Sequence, residues 1–175
     1  MISRRLVAAA LLLALTGCAT VRPPEPAAAG SEDLAGRMSV RVEAAGNAPE
    51  RSLTAAFELR GNADAGRLDL STPLGSVLAQ ARWSPREVVL ATPRGERTFP
   101  DLDALTREVL GESLPVAALF DWLRGRPWAG APSTTGTAGF EQLGWSVDLA
   151  QFDQALVSAR RDAAPPVNVR IKLDR

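Results

Sequence analysis

Alternation of apolar and polar residues at a spacing of two is the feature of this sequence that most restricts its fold. From Leu34 onward the pattern recurs in short runs, and it is typical of β-strands with one buried face. Near the end of the chain two such runs, 156–161 and 167–173, flank Pro165-Pro166, which indicates a hairpin. The other predicted strands have the following apolar positions: Met38, Val40 and Val42; Leu53, Ala55, Phe57 and Leu59; Leu68 and Leu70; Val77, Ala79, Ala81 and Trp83; Val88 and Leu90; Phe99; Trp145, Val147 and Leu149.

The middle of the chain has a helical pattern instead. Asp101 is a typical N-cap for a helix over 102–110, which Gly111 ends. A second helix is predicted over 115–124, with Pro115 at its start and Gly125 after it. Two helices between runs of short antiparallel strands pack on one face of the sheet. The sequence therefore predicts an α+β fold with a strongly curved antiparallel sheet.

The N-terminus has the features of a secretory signal. Arg4 and Arg5 precede an apolar run over 6–15, which is too short to span a bilayer. Leu15-Thr16-Gly17-Cys18 follows and resembles the lipobox of bacterial lipoproteins. That resemblance implies cleavage after residue 17, acylation of Cys18, and export to the outer membrane because Ala19 follows the cysteine. The alternative is an ordinary signal peptide with a chance cysteine.

We assign residues 18–33 to a lipidated N-terminus with a Pro/Ala-rich tether. Residues 34–175 are predicted to form one domain. Loss of residues 1–17 removes two arginines from a chain with 20 basic and 20 acidic side chains. The mature protein then has a slight acidic excess, which gives no electrostatic basis for binding nucleic acid.

The composition argues against most enzymes. The chain has no histidine, which excludes a Ser-His-Asp triad and any site that needs imidazole. Its one cysteine is the lipidation candidate, which leaves no zinc cluster. We therefore predict no catalytic residues, no metal and no cofactor.

An ordered set of motifs resembles a known family. Behind the lipobox come these segments: Gly36-Arg37-Met38-Ser39-Val40, Thr72-Pro73-Leu74-Gly75-Ser76, Asp101-Leu102-Asp103-Ala104-Leu105 to Leu110-Gly111, Leu114-Pro115, Trp122-Leu123-Arg124-Gly125-Arg126-Pro127, Gly144-Trp145-Ser146-Val147 and Arg170-Ile171-Lys172-Leu173. Over nearly the whole mature chain they resemble the outer-membrane lipoprotein receptors of the LolB family.

That resemblance implies an incomplete antiparallel β-barrel whose hydrophobic cavity is covered by helices. It also implies a monomer anchored by lipid at the periplasmic face of the outer membrane. Such a protein accepts acylated lipoproteins from a soluble periplasmic carrier of the LolA type and inserts them into outer-membrane lipid. The chain departs from the family in leaving little room for a helix before the first strand. The penultimate hairpin, 153–166, also lacks the motif that the family has there.

The resemblance places a membrane-inserting residue at Leu74, between Pro73 and Gly75. The alternative is a leucine that folds back onto the core. Candidates for the cavity lining are Met38, Val40, Val42, Phe57, Leu59, Leu102, Leu105, Val109, Leu119, Phe120 and Leu123. Each is at least as well explained as ordinary core, because an acyl site needs only apolar walls.

A structural lipoprotein of an envelope assembly complex is the other hypothesis for the function. It would share the lipobox, the tether and the β-rich domain. It would need neither a continuous apolar hollow nor an exposed apolar loop tip.

Overall fold

In the computed structural model of the protein, which describes residues 32–174, eleven strands form one antiparallel sheet. Two α-helices and a short 3₁₀ turn, Phe152–Gln154, complete the α+β fold. The strands are Glu32–Val42 (β1), Arg51–Gly61 (β2), Gly66–Ser71 (β3), Val77–Trp83 (β4), Val88–Thr92 (β5), Gly95–Phe99 (β6), Ser133–Thr135 (β7), Gly139–Gln142 (β8), Trp145–Asp148 (β9), Leu156–Arg161 (β10) and Val167–Leu173 (β11).

The sheet is open, because its two end strands do not pair with each other. Its order is β6-β5-β4-β3-β2-β1-β11-β10-β9-β8-β7, so the first and last strands of the chain lie side by side in the middle. Gly36 permits this pairing, since a Cβ at that position would lie 2.1 Å from the carbonyl oxygen of Lys172. The predicted incomplete barrel is confirmed.

Curvature of the sheet is clear from two ring contacts on its inner side. Trp83 of β4 lies 6.2 Å from the ring of Phe120, and Trp145 of β9 lies 6.1 Å from the ring of Trp122. Six strand spacings separate β4 from β9, which is about 29 Å in a flat sheet. Both strands contact residues only two apart in the chain because the sheet curls around them.

The strands begin and end along two opposite rims of the curved sheet. We call these rims the Leu74 edge and the Glu32 edge, and neither name refers to an edge strand. At the Leu74 edge, β1 ends at Val42, the β3–β4 loop carries Leu74, and the β8–β9 turn lies at Leu143-Gly144. At the Glu32 edge, β1 begins and β11 ends. The chain described by the structure therefore starts at the edge opposite the Leu74 loop.

The first helix, α1, spans Leu102–Leu110 as predicted. The side chain of Asp101 accepts a hydrogen bond from the Ala104 amide at 2.7 Å, and Gly111 takes the left-handed conformation with φ 84°. The exposed Arg51 of β2 donates to the carbonyl oxygens of Glu108 and Val109. These contacts place the end of α1 at the Leu74 edge.

The second helix, α2, is shorter than predicted and spans Val116–Trp122. Pro115 precedes it with ψ 72°, outside the helical range, and Leu123 is its C-cap. The amide of Gly125 bonds to the carbonyl of Trp122, which tightens the chain into a turn. The predicted extension to Arg124 is therefore wrong.

Three further differences concern the strands. Strands β7 and β8 were not predicted, because they have three and four residues and the buried Gln142 interrupts the apolar alternation. Strand β9 ends at Asp148, one residue before Leu149. Strand β1 begins at Glu32, so its first two residues fall within the range assigned to the tether.

Candidate functional site: the apolar interior and the Leu74 loop

The inner face of the sheet and the two helices form one continuous apolar core. It contains ten of the eleven side chains predicted to line a cavity. Buried are Val40, Val42, Phe57, Leu59, Leu105, Phe120 and Leu123, and partly buried against them are Met38, Leu102 and Leu119. The structure thus brings these ten residues together, but as packed neighbours.

Val109 differs from the other candidates, because its side chain is 43% exposed. The buried residues of helix α1 are Leu105, Thr106 and Leu110. The buried face therefore includes Leu110, whereas the sequence predicted Val109. Thr106 is tolerated inside because its hydroxyl donates to the Asp103 carbonyl and accepts from the Leu114 amide. A polar residue on the buried arc made that arc hard to place from sequence.

Helix α2 fills the concave side of the sheet with aromatic rings. Phe120 makes an edge-to-face contact with Trp83, and Trp122 packs against Phe140 and Trp145 at 6.3 and 6.1 Å between ring centroids. Trp122 has no exposed surface. The sequence placed it beside the apolar face of α2, whereas it is the largest fully buried side chain described.

Gln142 fixes α2 and the segment after it to β8. Its Oε1 accepts from the Trp122 indole at 2.8 Å and from the Trp128 amide at 2.9 Å. Its Nε2 donates to the carbonyls of Trp128 and Ala131 at 2.7 and 2.8 Å. A buried glutamine with four such bonds is a structural clamp. The sequence pattern gave no signal for it, because a polar residue in a strand is usually solvent-facing.

A second contact holds the linker between the helices to the sheet. Arg161 of β10 points to the inner side, where its guanidinium bonds to Glu112 at 2.7 Å and lies 5.5 Å from the ring centre of Trp145. The side chains of Arg161 and Glu112 are both largely buried. This ion pair and Gln142 attach the helical region to the same half of the sheet.

A cavity of about 340 Å³ opens at the Glu32 edge. Its lining includes the apolar side chains of Leu34, Leu123, Phe152 and Leu173, with Asp33, Arg124 and Asp174 around them. Ligand pockets have volumes of about 300–1,000 Å³, so this cavity is at the small end of the range. Leu123 is the predicted lining residue that reaches it.

The loop between β3 and β4 holds Leu74 in solvent. The Thr72 amide donates to the Ser76 carbonyl, the Gly75 amide donates to the Thr72 carbonyl, and the Thr72 hydroxyl oxygen accepts from the Ser76 amide. Gly75 has φ 84°, a conformation that favours glycine. Leu74 is 95% exposed and Val77 is 63% exposed. Leu74 therefore does not fold back onto the core.

Polar side chains on the outer face brace the strands below this loop. Asp69 of β3 accepts two bonds from Arg67, at 2.7 and 2.9 Å, and one from Gln80 of β4 at 2.6 Å. The hydrogen bond to Asp69 raises the pKa of the Arg67 guanidinium. The loop is therefore carried by a hairpin whose two strands are joined by a side-chain hydrogen bond.

Two sequence predictions concern anchoring and metals. Cys18 lies outside the described residues. Within 32–174, neither helix has the length and apolar character needed to cross a membrane. Over the same residues, His, Cys, Asp and Glu side chains form no group of three or more that would suit a metal ion.

Fold and site together define a class of protein. It is an open antiparallel barrel with an apolar interior, two helices on its concave side, and a loop that presents a bare leucine to solvent. On the inner side of the described sheet, Arg161 and Glu112 pair with each other and hold the linker between the helices.

Comparison with known proteins identifies the family within this class. Residues 33–175 match the family described as outer membrane lipoprotein LolB. The outer-membrane lipoprotein LolB of Bordetella pertussis is 34% identical over 92% of this chain and 87% of its own length. The relative from Cupriavidus pinatubonensis is 36% identical over 93% and 82%, and that from Thiobacillus denitrificans is 36% identical over 85% and 84%. The chain belongs to the LolB family of outer-membrane lipoproteins.

Proposed function

We propose that this protein accepts acylated lipoproteins from a soluble periplasmic carrier and inserts them into the outer membrane. The observation that carries the proposal is the exposure of Leu74 on a braced loop, in a chain that belongs to the LolB family. The relatives are named outer-membrane lipoproteins, and the exposed loop tip gives a physical means of acting on a membrane.

Leu74 acts at the delivery step. A leucine held in water forgoes burial free energy of about 1.5–3 kcal/mol, and contact with lipid recovers it. Pro73, Leu74 and Gly75 carry no charge, and the loop's hydrogen bonds are internal. The tip can therefore enter the apolar layer without bringing a charged group with it.

Capture of the acyl chains uses the apolar interior. Its walls offer hydrocarbon and few polar groups, which suits a ligand recognised only by its apolar surface. The cavity beside Leu34 and Leu123 gives the chains a place to enter. Because α2 fills the concave side, a longer chain is accommodated by movement of side chains such as Leu119 and Phe120.

Lipid on Cys18 holds the protein at the periplasmic face of the outer membrane. Each buried methylene contributes about 0.8 kcal/mol, so two or more acyl chains give a stable anchor. The protein works as a monomer by binding and release, with no covalent step and no cofactor. Its partners are the carrier of the LolA type, the acylated cargo and the lipid of the outer membrane.

A two-step assay tests the proposal. Cargo is first captured on the full-length lipoprotein from its carrier, and then delivered to liposomes. With Leu74→Glu we expect normal capture and loss of delivery, since a carboxylate opposes entry into the bilayer. The matched variant Leu74→Met keeps an apolar tip and retains both steps.

Other outcomes of this assay contradict the proposal. If the unaltered protein captures no cargo, the receptor proposal is wrong and the hypothesis of a structural lipoprotein is favoured. If Leu74→Glu delivers cargo normally, the loop does not act at the membrane.

A further inference from the structure

The exposed apolar side chains of this domain lie at one edge of the sheet. In residues 32–174 the large apolar side chains that are exposed are Leu74, Val77, Leu143 and Val109. Leu74 and Val77 belong to the β3–β4 loop, and Leu143 to the β8–β9 turn at the same edge. Val109 lies at the Leu74 edge as well, because Arg51 at the start of β2 donates a hydrogen bond to its carbonyl oxygen. The four exposed apolar side chains of the described residues thus all belong to the Leu74 edge.

Leu143 has an unusual backbone. It and Gly144 are the two central residues of the β8–β9 hairpin, with φ values of 54° and 76°. Both angles suit a type I′ turn, in which asparagine followed by glycine is preferred. Leucine pays a steric penalty in the left-handed region, because its Cβ approaches the following carbonyl oxygen.

The strained turn holds Leu143 with 47% of its surface exposed. It therefore presents an apolar group to solvent from a backbone conformation that costs stability. An apolar side chain held in solvent by a strained backbone is a candidate functional residue.

The two proposed tips carry no charge. The β3–β4 loop and the β8–β9 turn are uncharged, and the exposed Arg94 lies in the β5–β6 turn of the same edge. The acidic side chains of this edge have partners: Glu50, Glu112 and Asp162 each pair with an arginine, and Glu43 accepts a hydrogen bond from Asn168. The Glu32 edge carries both signs, with Asp33 paired to Arg60. The two tips can therefore approach an anionic membrane surface without a carboxylate of their own.

We propose that Leu143 is a second bilayer-inserting tip, and that the whole Leu74 edge is the membrane-contact surface of the domain. The inference rests on the proposed function and extends it from one loop to two. The β3–β4 and β8–β9 hairpins are six strand positions apart in the curled sheet, so they lie on different walls of the barrel around α2. Two tips on different walls at one edge fix the orientation of the barrel on the bilayer, which a single loop does not.

Site-specific labelling tests the inference. Leu143→Cys in the full-length lipoprotein carries an environment-sensitive fluorophore, and the protein is mixed with vesicles of phosphatidylethanolamine and phosphatidylglycerol that contain spin-labelled acyl chains. We expect a blue shift of the emission and loss of intensity by contact quenching. Leu74→Cys serves as the reference for insertion, and Asp64→Cys at the Glu32 edge serves as the control, with neither effect.

The outcomes separate the two proposals. Quenching at positions 74 and 143 supports the inference. Quenching at 74 alone overturns it and leaves the proposed function intact, whereas quenching at neither position contradicts both. A label at 143 that responds to the purified carrier but not to vesicles also overturns it, because the turn would then be a protein-docking site.

A second variant tells a functional leucine from a structural one. Leu143→Asn relieves the strained turn, so we expect a rise in the melting temperature of the protein together with reduced delivery of cargo to vesicles. Higher stability with unchanged delivery overturns the inference.

Discussion

Trp122 and Gln142 are joined in the interior by a 2.8 Å hydrogen bond from the indole Nε1–H to the side-chain oxygen. This bond connects the last residue of α2 to β8, and Gln142 also holds Trp128 and Ala131. The amide group of Gln142 thus fixes the end of α2 to one half of the sheet, and the Arg161–Glu112 ion pair fixes the linker before α2 to the same half. The interior is therefore held together by polar contacts as well as by packing.

Replacing Gln142 by methionine, which has a similar volume, leaves the buried indole N–H and the main-chain groups of Trp128 and Ala131 without partners. An unsatisfied buried group costs about 1–3 kcal/mol, and we expect a fall of about 3 kcal/mol in the free energy of unfolding. Urea denaturation followed by circular dichroism measures it. Gln151→Met, at an exposed position, is the control and changes stability by less than about 0.5 kcal/mol. A loss that small for Gln142→Met would show that water replaces the amide.

Sequence patterns predicted the parts of this fold that follow a simple period. The strands with clear alternation, such as 167–173, and the capped helix 102–110 are found where they were expected. The pattern failed where a polar side chain is buried. The buried Gln142 interrupts the apolar alternation, so β8 was not predicted. The buried Thr106 made the buried face of α1 hard to recognise, so Val109 was wrongly assigned to it.

The site was less predictable than the fold, for a physical reason. Phe120 and Leu105 are apolar whether they fill a core or line a cavity, so their identity cannot distinguish the two. Leu143 was not recognised at all, because one leucine in a short turn gives no periodic signal. Leu143 becomes a functional candidate only through its left-handed backbone and its exposure to solvent, and both are known only from the structure.

A charge placed on the inner side of α2 is predicted to block capture. Leu119 is partly buried against the core, so Leu119→Glu puts an unpaired carboxylate where hydrocarbon is to bind. We expect loss of cargo capture from the carrier, with circular dichroism showing that the domain is folded. Val109→Glu is the matched control on the exposed side of α1, and it retains capture. Normal capture by a folded Leu119→Glu protein would remove this side chain from the acyl site.

Lipidation at Cys18 is predicted from the lipobox alone. Mass spectrometry of the mature N-terminus is expected to show an acylated cysteine as its first residue, and the protein is expected in the membrane fraction. Cys18→Ala gives a soluble or uncleaved product that still accepts cargo, since residues 32–174 contain the fold. Ala19→Ser is the control and stays acylated. An unmodified Cys18 in the unaltered protein would refute the anchor.

The length of the tether is predicted to matter because the described chain begins at the Glu32 edge, opposite the Leu74 loop. The domain begins at Glu32, and β1 has eleven residues, about 35 Å along the strand and about 27 Å along the barrel axis at a typical tilt. From Cys18 to Glu32 the chain has fourteen steps, which reach at most about 50 Å. The lipid and Leu74 can therefore meet the same bilayer.

Deleting residues 22–29 leaves six steps, with a reach of about 20 Å, which is shorter than the barrel. We expect the shortened lipoprotein to capture cargo normally and to lose delivery in the two-step liposome assay. Replacing residues 22–29 by eight Gly and Ser residues restores the length with a different composition, and delivery is expected to return. Because the same deletion in an unanchored Cys18→Ala protein removes no constraint, it is expected to have no effect there. Full delivery by the shortened, anchored protein would show that Leu74 works without reaching the bilayer that holds Cys18.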